Sequence, residues 1–169
     1  MTQDLTTLHP LVADAVRRHS LAAEILECRA DLADTAEFCA HYGFAAADTC
    51  NTILVVIKKT PREFAACLVR SDTRLDVNRR VAAEVAFKRL SFAGTEETAE
   101  LSGMEIGGVA LIGLPPDMPL LIDRLVMERA SIIVGGGNRS SKLKLDPREL
   151  LKLPGARVAE IATPRGETS

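Results

Sequence analysis

The residues best placed to do chemistry are three consecutive glycines, Gly135, Gly136 and Gly137, which directly follow an apolar segment typical of a strand. Glycine after a strand lets the chain adopt a positive φ and lets a ligand approach main-chain N–H groups closely. A tight connecting turn explains the same residues equally well. The pair Gly107 and Gly108 poses the same choice, and there the connecting turn is the favoured interpretation.

A small basic cluster follows the triple glycine and consists of Arg139, Lys142 and Lys144. If this segment is a strand, Lys142 and Lys144 share one face of it. Such a cluster is typical of a solvated strand edge, and the alternative is a contact with phosphate. Asp123 ends a separate apolar run, where it either orients a group of the site or caps the following turn.

No side-chain nucleophile with an adjacent base is evident. The three histidines fall in segments that predict helices, and neither G-x-S-x-G nor H-E-x-x-H occurs. The cysteines form no C-x-x-C pair and have no histidine at metal-ligand spacing, which favours free buried thiols in a reducing compartment. The residues therefore predict a glycine-lined pocket without a metal or a cofactor.

Composition limits the kind of partner. The chain has 169 residues, 47% of them apolar and 26% charged, and a formal net charge of −2. This charge excludes a broad basic groove as the main source of affinity for nucleic acid, so any such contact must be local. The N-terminus lacks the pattern of a signal peptide, and no apolar stretch approaches the roughly 20 residues that a membrane span requires. We expect a cytoplasmic protein that does not enter a membrane.

Short strands and helices must position these groups. Strands are predicted over residues 24–28, 52–58, 64–69, 89–92, 120–123, 131–134, 142–145 and 157–161. Helices are predicted over residues 10–19, 34–42, 76–85 and 95–101 and from residue 146 onward. Hairpins and helical connections alternate, which predicts an α/β fold with a mixed, largely antiparallel sheet and flanking short helices.

Local signals refine two parts of this outline. Asp34 followed by Glu37 predicts a capping box at a helix start, and Gly43 predicts the end of that helix. We expect one domain over residues 1–169, with a core over 20–162, an N-terminal helix over 8–19 and a frayed polar tail over 164–169.

The order of these features resembles the YbaK/ProX-type aminoacyl-tRNA deacylases, a family that includes the editing domain of prolyl-tRNA synthetases. The resemblance covers residues 20–162 and rests on the order and spacing of several segments. These are ADTAE at 33–37 ending at Gly43, the strand 52–57, Gly107-Gly108, LLID at 120–123, VGGGNR at 134–139, DPREL at 146–150 and the final strand.

The resemblance implies an editing-domain fold whose pocket accepts the aminoacyl-adenosine end of a mischarged tRNA. The implied reaction is hydrolysis of the aminoacyl ester, with no cofactor and no side-chain nucleophile. In this family, backbone N–H groups and the ribose hydroxyl of the tRNA are thought to assist a water molecule. The implied partners are the acceptor end of a mischarged tRNA and an aminoacyl-tRNA synthetase; the oligomeric state is left open.

Several positions of this chain depart from the family pattern. The family usually has a lysine before the Thr that opens the central strand, and here Asn51 precedes Thr52. Lys58 and Lys59 lie at the other end of that strand, about 20 Å away at ~3.3 Å per residue.

Further departures concern the shape of the pocket. Leu111 stands where the family has the proline of a Gly-x-x-x-Pro loop, so we expect it to reshape or fill the pocket. Cys28 stands where some relatives have Tyr, and Lys142 where some have Asp. These changes would alter which amino acid side chain fits.

The resemblance assigns roles to the following residues. Catalytic roles fall to Asn51, Gly108 and Gly136; substrate binding to Cys28, Thr52, Gly107, Leu111, Asp123, Gly135, Gly137 and Lys142; and contacts with tRNA phosphate to Arg139 and Lys144. The favoured hypothesis is an active trans-editing deacylase in which Asn51 replaces the lysine. One alternative is a weakened or inactive module that binds aminoacyl-tRNA or a related small ligand. Another is a small-molecule hydrolase or regulatory protein on the same scaffold.

Overall fold

A computed structural model describes residues 4–165. The strands are β1 (Glu24–Glu27), β2 (Cys50–Ile57), β3 (Glu63–Arg70), β4 (Thr73–Leu75), β5 (Leu90–Phe92), β6 (Leu120–Asp123), β7 (Ile132–Gly135), β8 (Ser141–Leu145), β9 (Ala156–Ala159) and β10 (Ala162–Pro164). The α-helices are α1 (Pro10–Arg18), α2 (Thr35–Tyr42), α3 (Ala82–Val85) and α4 (Thr95–Ser102). A π-helical turn over Val77–Val81 leads into α3, and a 3₁₀ helix covers Pro147–Lys152.

The central sheet has the order β5-β2-β3-β6-β9. Its β5-β2-β3 part is antiparallel, whereas β6 runs parallel to both β3 and β9. A second sheet, β1-β8-β7, is antiparallel, and β4 pairs with β10. The prediction of a mixed, largely antiparallel α/β fold is confirmed.

The core lies on both faces of the central sheet. One buried cluster includes Leu54 and Leu68 and extends to α1 and to strands β7 and β8. The other includes Val55 and Cys67 and extends to the helical segment after Asp76. Neighbouring residues of β2 therefore enter opposite clusters, as expected for a strand that is buried on both faces.

The start of α2 differs from the prediction. Asp34 precedes the helix, but its side chain makes no capping hydrogen bond, so the predicted capping box is wrong. Its Oδ1 instead accepts a 3.1 Å hydrogen bond from the guanidinium of Arg139. Gly43 does end the helix, with a φ of 76°. The carboxylate of Asp34 thus links the start of α2 to the loop that contains Arg139.

Other boundaries shift in simple ways. The predicted strand 157–161 corresponds to β9, which ends at Ala159. Strand β10 follows it and pairs with β4, and the sequence revealed neither of these two strands. Pro164 ends β10, while residues 166–169 of the predicted tail lie outside the described residues. Within residues 4–165, no helix is long and apolar enough to cross a membrane.

The pairing between β5 and β2 in the central sheet stops before the N-terminal end of β2. Strand β5 pairs with residues 55–57 of β2, and the ladder is extended by a hydrogen bond from Ala93 N–H to Leu54 O. In this register Thr95 would face Thr52, but Thr95 begins α4 and the chain turns away. Alternation along an antiparallel ladder directs the backbone groups of Thr52 to this side. Residues 50–53 of β2 therefore have no partner in β5 and form what is called the open edge of β2; just before them, Thr49 makes an isolated parallel bridge with Ile133.

Candidate functional site

A cavity of about 330 Å³ lies at this open end of β2. Its walls come from β2, the start of α2, the segment around α4, the loop 106–109, and strands β7 and β8. The predicted site residues that line it are Asn51, Thr52, Gly107, Gly135 and Lys142. These residues are distant in sequence, and the fold brings them to one concave surface.

Asn51 is held in a defined orientation. The hydroxyl of Thr35 donates a 2.7 Å hydrogen bond to Asn51 Oδ1. No described residue accepts a hydrogen bond from Asn51 Nδ2. Because the amide oxygen is already occupied, Asn51 offers the cavity two N–H donors.

Thr52 brings an unpaired polar atom to the same wall. Its Oγ1 is buried and has no hydrogen-bond partner among residues 4–165. Buried polar atoms are nearly always satisfied, by protein or by ordered water, so this hydroxyl is an exception in the wall behind the cavity.

Lys142 brings a positive charge to the cavity. The residue is only 7% exposed, and its Nζ lies 5.2 Å from the centre of the Phe38 ring. Its ammonium forms no ion pair with a described residue. Burial lowers the pKa of Lys142, whereas Cys28 and Asp34 act in the opposite direction. An ammonium held this way favours an incoming oxygen acceptor.

The glycine wall is close-packed main chain. A Cβ on Gly135 would lie 2.6 Å from Val109 O and 2.7 Å from Gly108 O, so only glycine fits without a shift of the chain. Gly137 N–H donates to Gly108 O at 2.7 Å. Gly107 has a φ of 90°, which glycine adopts without strain. The loop over 106–109 is therefore fastened to β7 by backbone contacts.

Arg139 acts as a clamp at the edge of the cavity. Its Nε donates to Ala30 O at 3.0 Å, and one terminal nitrogen donates to Asp34 Oδ1 at 3.1 Å and to Ile106 O at 3.3 Å. Its backbone N–H donates to Glu105 Oε2 at 3.0 Å. These bonds join the segment before α2 to the loop before Gly107. Most of this guanidinium is thus already engaged within the protein.

Other predicted site residues lie elsewhere. Leu111 is 1% exposed and lines a different cavity, of about 550 Å³, beside α1. Asp123 is also buried, and its carboxylate accepts hydrogen bonds from the N–H groups of Ile161 and Ala162, both at 2.9 Å. Leu111 is therefore a core residue in this fold. Asp123 also accepts a hydrogen bond from Leu125 N–H at 3.1 Å, so it caps the following turn, which was one of its two interpretations.

The remaining assignments fall next to the cavity rather than in its lining. Gly136 O accepts a hydrogen bond from His9 N–H at 3.0 Å. The thiol of Cys28 donates to Arg139 O at 3.4 Å, and burial raises its pKa. Gly108, Gly137 and Lys144 also do not line the cavity, although Gly108 supports it through Gly135.

The cavity contains a thiol that is unsuited to nucleophilic attack. Cys50 lines the wall, and burial raises its pKa to about 12. The thiol therefore stays protonated near neutral pH, whereas nucleophilic cysteines require the thiolate. This thiol therefore does not supply the nucleophile for chemistry in the cavity.

Residues 29–153 match the sequence profile of the aminoacyl-tRNA editing domain family. The chain belongs to this family. The sequence-based assignment to the YbaK-type deacylases is thereby confirmed.

Two solved structures are similar to this chain over most of its length. A protein described as a candidate trans-editing enzyme for prolyl-tRNA synthetase shares 26% identity, with a TM-score of 0.80 over 92% of this chain and 99% of its own. The hypothetical protein APE2540 shares 27% identity, with a TM-score of 0.81 over 90% of this chain and 99% of its own.

The sequence did not reveal several residues that line the editing-domain cavity. Thr35, Thr95 and Thr98 lie in the first turns of α2 and α4, and Phe92 ends β5. The helix starts themselves were predicted, but nothing in the sequence indicated that both helices begin at one cavity. That arrangement depends on β5 turning away from β2.

Proposed function

We propose that this protein is an aminoacyl-tRNA deacylase, which hydrolyses the aminoacyl ester of a mischarged tRNA in trans. The observation that carries the proposal is the set of donors in one cavity of an editing-family domain. These donors are the Asn51 amide and the Lys142 ammonium. Hydrolysis of an ester passes through a negatively charged oxygen, and such donors stabilise this charge.

The reaction needs only water as the second reactant. Water adds to the carbonyl carbon of the ester, the bond from that carbon to the ribose oxygen breaks, and a proton passes to the leaving ribose oxygen. The products are a free amino acid and a tRNA with an intact 3′ end. Cys50, protonated because its pKa is about 12, takes no part in a covalent intermediate.

The chain supplies positioning and electrostatic stabilisation. The Thr35 hydroxyl orients Asn51, so that its Nδ2 donates to an oxygen of the reacting ester. The open edge of β2 adds the backbone N–H of Thr52. Lys142 donates to a second oxygen of the aminoacyl group. Holding water and ester in fixed geometry contributes a large part of the rate of such reactions.

The first experiment is to incubate the protein with a panel of tRNAs, each charged with a non-cognate amino acid, and to measure release of the amino acid. We expect at least one substrate to be hydrolysed well above its spontaneous rate, and Asn51→Ala and Lys142→Met to slow that reaction. Correctly charged tRNAs serve as controls for selectivity.

The outcome that contradicts the proposal is an absence of release from every tRNA of the panel. A second measurement then separates the alternatives. An analogue with an amide in place of the ester cannot be hydrolysed, so its binding reports on the cavity alone. Binding without turnover would indicate a module that retains the cavity and has lost hydrolysis.

A further inference from the structure

Phe92 marks the boundary between two cavities. It ends β5, is 57% exposed, and lines both the editing cavity and a neighbouring cavity of about 350 Å³. The other large apolar side chains that stand out from the described surface are aliphatic: Leu11, Ile106, Leu151 and Val158. An aromatic ring exposed at the junction of two cavities is a surface on which a planar group can stack.

The neighbouring cavity is basic. Arg74, Arg79 and Arg80 line it together with Asp76. Arg80 is neutralised by Glu160 at 3.1 Å and lies 3.8 Å from Asp76. The guanidinium groups of Arg74 and Arg79 form no ion pair within residues 4–165, and both residues are exposed. Two free positive charges therefore flank the cavity next to the Phe92 ring.

We propose that this second cavity binds the single-stranded 3′ end of the tRNA where it leaves the editing cavity. The base of the nucleotide that precedes the terminal adenosine stacks on Phe92. The backbone phosphates of this single-stranded end contact Arg74 and Arg79. An aromatic platform beside a local basic groove is the combination that binds single-stranded nucleic acid. The proposal rests on the proposed function, because it assumes that the terminal aminoacyl-adenosine occupies the first cavity.

The formal net charge of the chain agrees with a contact that is limited to a short single-stranded end. The formal net charge of −2 does not favour a long electrostatic contact along a duplex. A short single-stranded end needs only a few contacts. The sequence analysis assigned the contact with tRNA phosphate to Arg139 and Lys144, whereas this proposal assigns it to Arg74 and Arg79. The guanidinium of Arg139 is already bound to Asp34, Ala30 and Ile106.

A kinetic comparison tests the proposal with two substrates. One is the charged tRNA, and the other is the same aminoacyl ester on adenosine alone, which lacks the preceding nucleotides. Phe92→Leu and the double variant Arg74→Ala/Arg79→Ala are expected to raise KM at least tenfold for the tRNA. The double variant, whose two arginines lie outside the editing cavity, is expected to change KM for the minimal substrate less than twofold. Equal losses on both substrates, or none on either, would overturn the proposal.

Two matched controls come from the surface formed by Pro147–Lys152. Arg148→Ala removes one exposed charge, and Leu151→Ala removes one exposed apolar side chain. Both are expected to leave KM for the tRNA unchanged.

A binding measurement keeps the test independent of catalysis. The probe is a fluorescent single-stranded RNA that ends in CCA, with its affinity followed as salt is increased. The arginine variants should bind at least tenfold more weakly, and each lost phosphate contact should reduce the salt slope by about 0.7. Unchanged affinity and slope would overturn this inference. Loss of deacylation with intact, Phe92-dependent RNA binding would instead count against the proposed function alone.

Discussion

The hydroxyl of Thr35, the first residue of α2, donates a 2.7 Å hydrogen bond to Asn51 Oδ1 on β2. This bond occupies the amide oxygen and leaves Nδ2 as the group that faces the cavity. It also joins the start of a helix to the open end of the central sheet. The orientation of Asn51 is thus set by a neighbour that does not itself need to contact the substrate.

Thr35→Val should separate orientation from chemistry. The variant keeps the volume of the side chain but removes the donor, so the Asn51 amide can rotate and we expect kcat to fall about tenfold. Asn51→Ala removes the donor itself, which typically costs a factor of ~10²–10³ in kcat. Single-turnover release of the amino acid measures both. Thr35→Ser retains the hydroxyl and is expected to keep near wild-type activity; a loss as large as that of Thr35→Val would show that the hydrogen bond is not the reason.

Gly135→Ala should disturb the main-chain wall. The new Cβ would approach the carbonyl oxygens of Gly108 and Val109 to within 2.7 Å, which forces the loop away from β7. We expect a loss of about 1–3 kcal/mol in the free energy of unfolding, measured by urea denaturation, together with reduced deacylation. Gly94→Ser is the matched control, because a Cβ there has open space and serine favours the position before a helix. Equal stability of the two variants would contradict the packing argument.

Lys142 should make the free energy of unfolding depend on pH in the alkaline range. Its pKa in the folded protein lies below the ordinary value of 10.5, so between these two values the unfolded chain binds more protons than the folded one. Stability therefore rises as pH increases through this window. Besides burial, four titratable groups influence the pKa of Lys142: Cys28, Asp34, Arg139 and Cys39.

The comparison uses Lys142→Met, which should be more stable than the wild type at pH 7, by a margin that narrows as the pH approaches 10.5. The control is Lys144→Met on the same strand, where the side chain is partly exposed and its removal relieves little burial of charge. Urea denaturation at several pH values measures both. A margin for Lys142→Met that stays constant with pH would show that the buried charge is not responsible.

Leu111→Ala tests whether this residue shapes the editing cavity. Leu111 is fully buried in the core beside α1, so its truncation should cost about 2–5 kcal/mol in the free energy of unfolding. The ranking of aminoacyl substrates should not change. Leu151→Ala, at an exposed position, should cost much less. A changed substrate ranking in Leu111→Ala would support the sequence-based expectation that Leu111 lies in the cavity.

The fold could be predicted from the sequence because its signals are local. The β-branched run of β2, the glycine after α2 and the Asp-Pro-x-Glu start of the 3₁₀ helix each identify their element without help from the rest of the chain. Strands β4 and β10 escaped prediction because each is short and owes its conformation to pairing with the other. Residues that pair across such a long separation in sequence show no periodic pattern in either segment.

The site was predictable only in part, because a side chain's role depends on what lies next to it. Asn51 and Lys142 were both singled out, yet their meeting at one cavity depends on the contact between β2 and β7. Asp34 illustrates the opposite case. Its spacing to Glu37 indicates a helix cap, but the guanidinium of Arg139 competes for the same carboxylate and forms the stronger, charge-assisted bond.

The open edge of β2 has a consequence for how such a domain can change over time. Peptide N–H groups remain when a codon is altered, so the part of the wall that β2 contributes through its main chain is insensitive to most mutations. Side chains around it, such as Asn51 and Lys142, are not protected in this way. A lineage can thus replace these side chains one at a time while the main-chain donors persist.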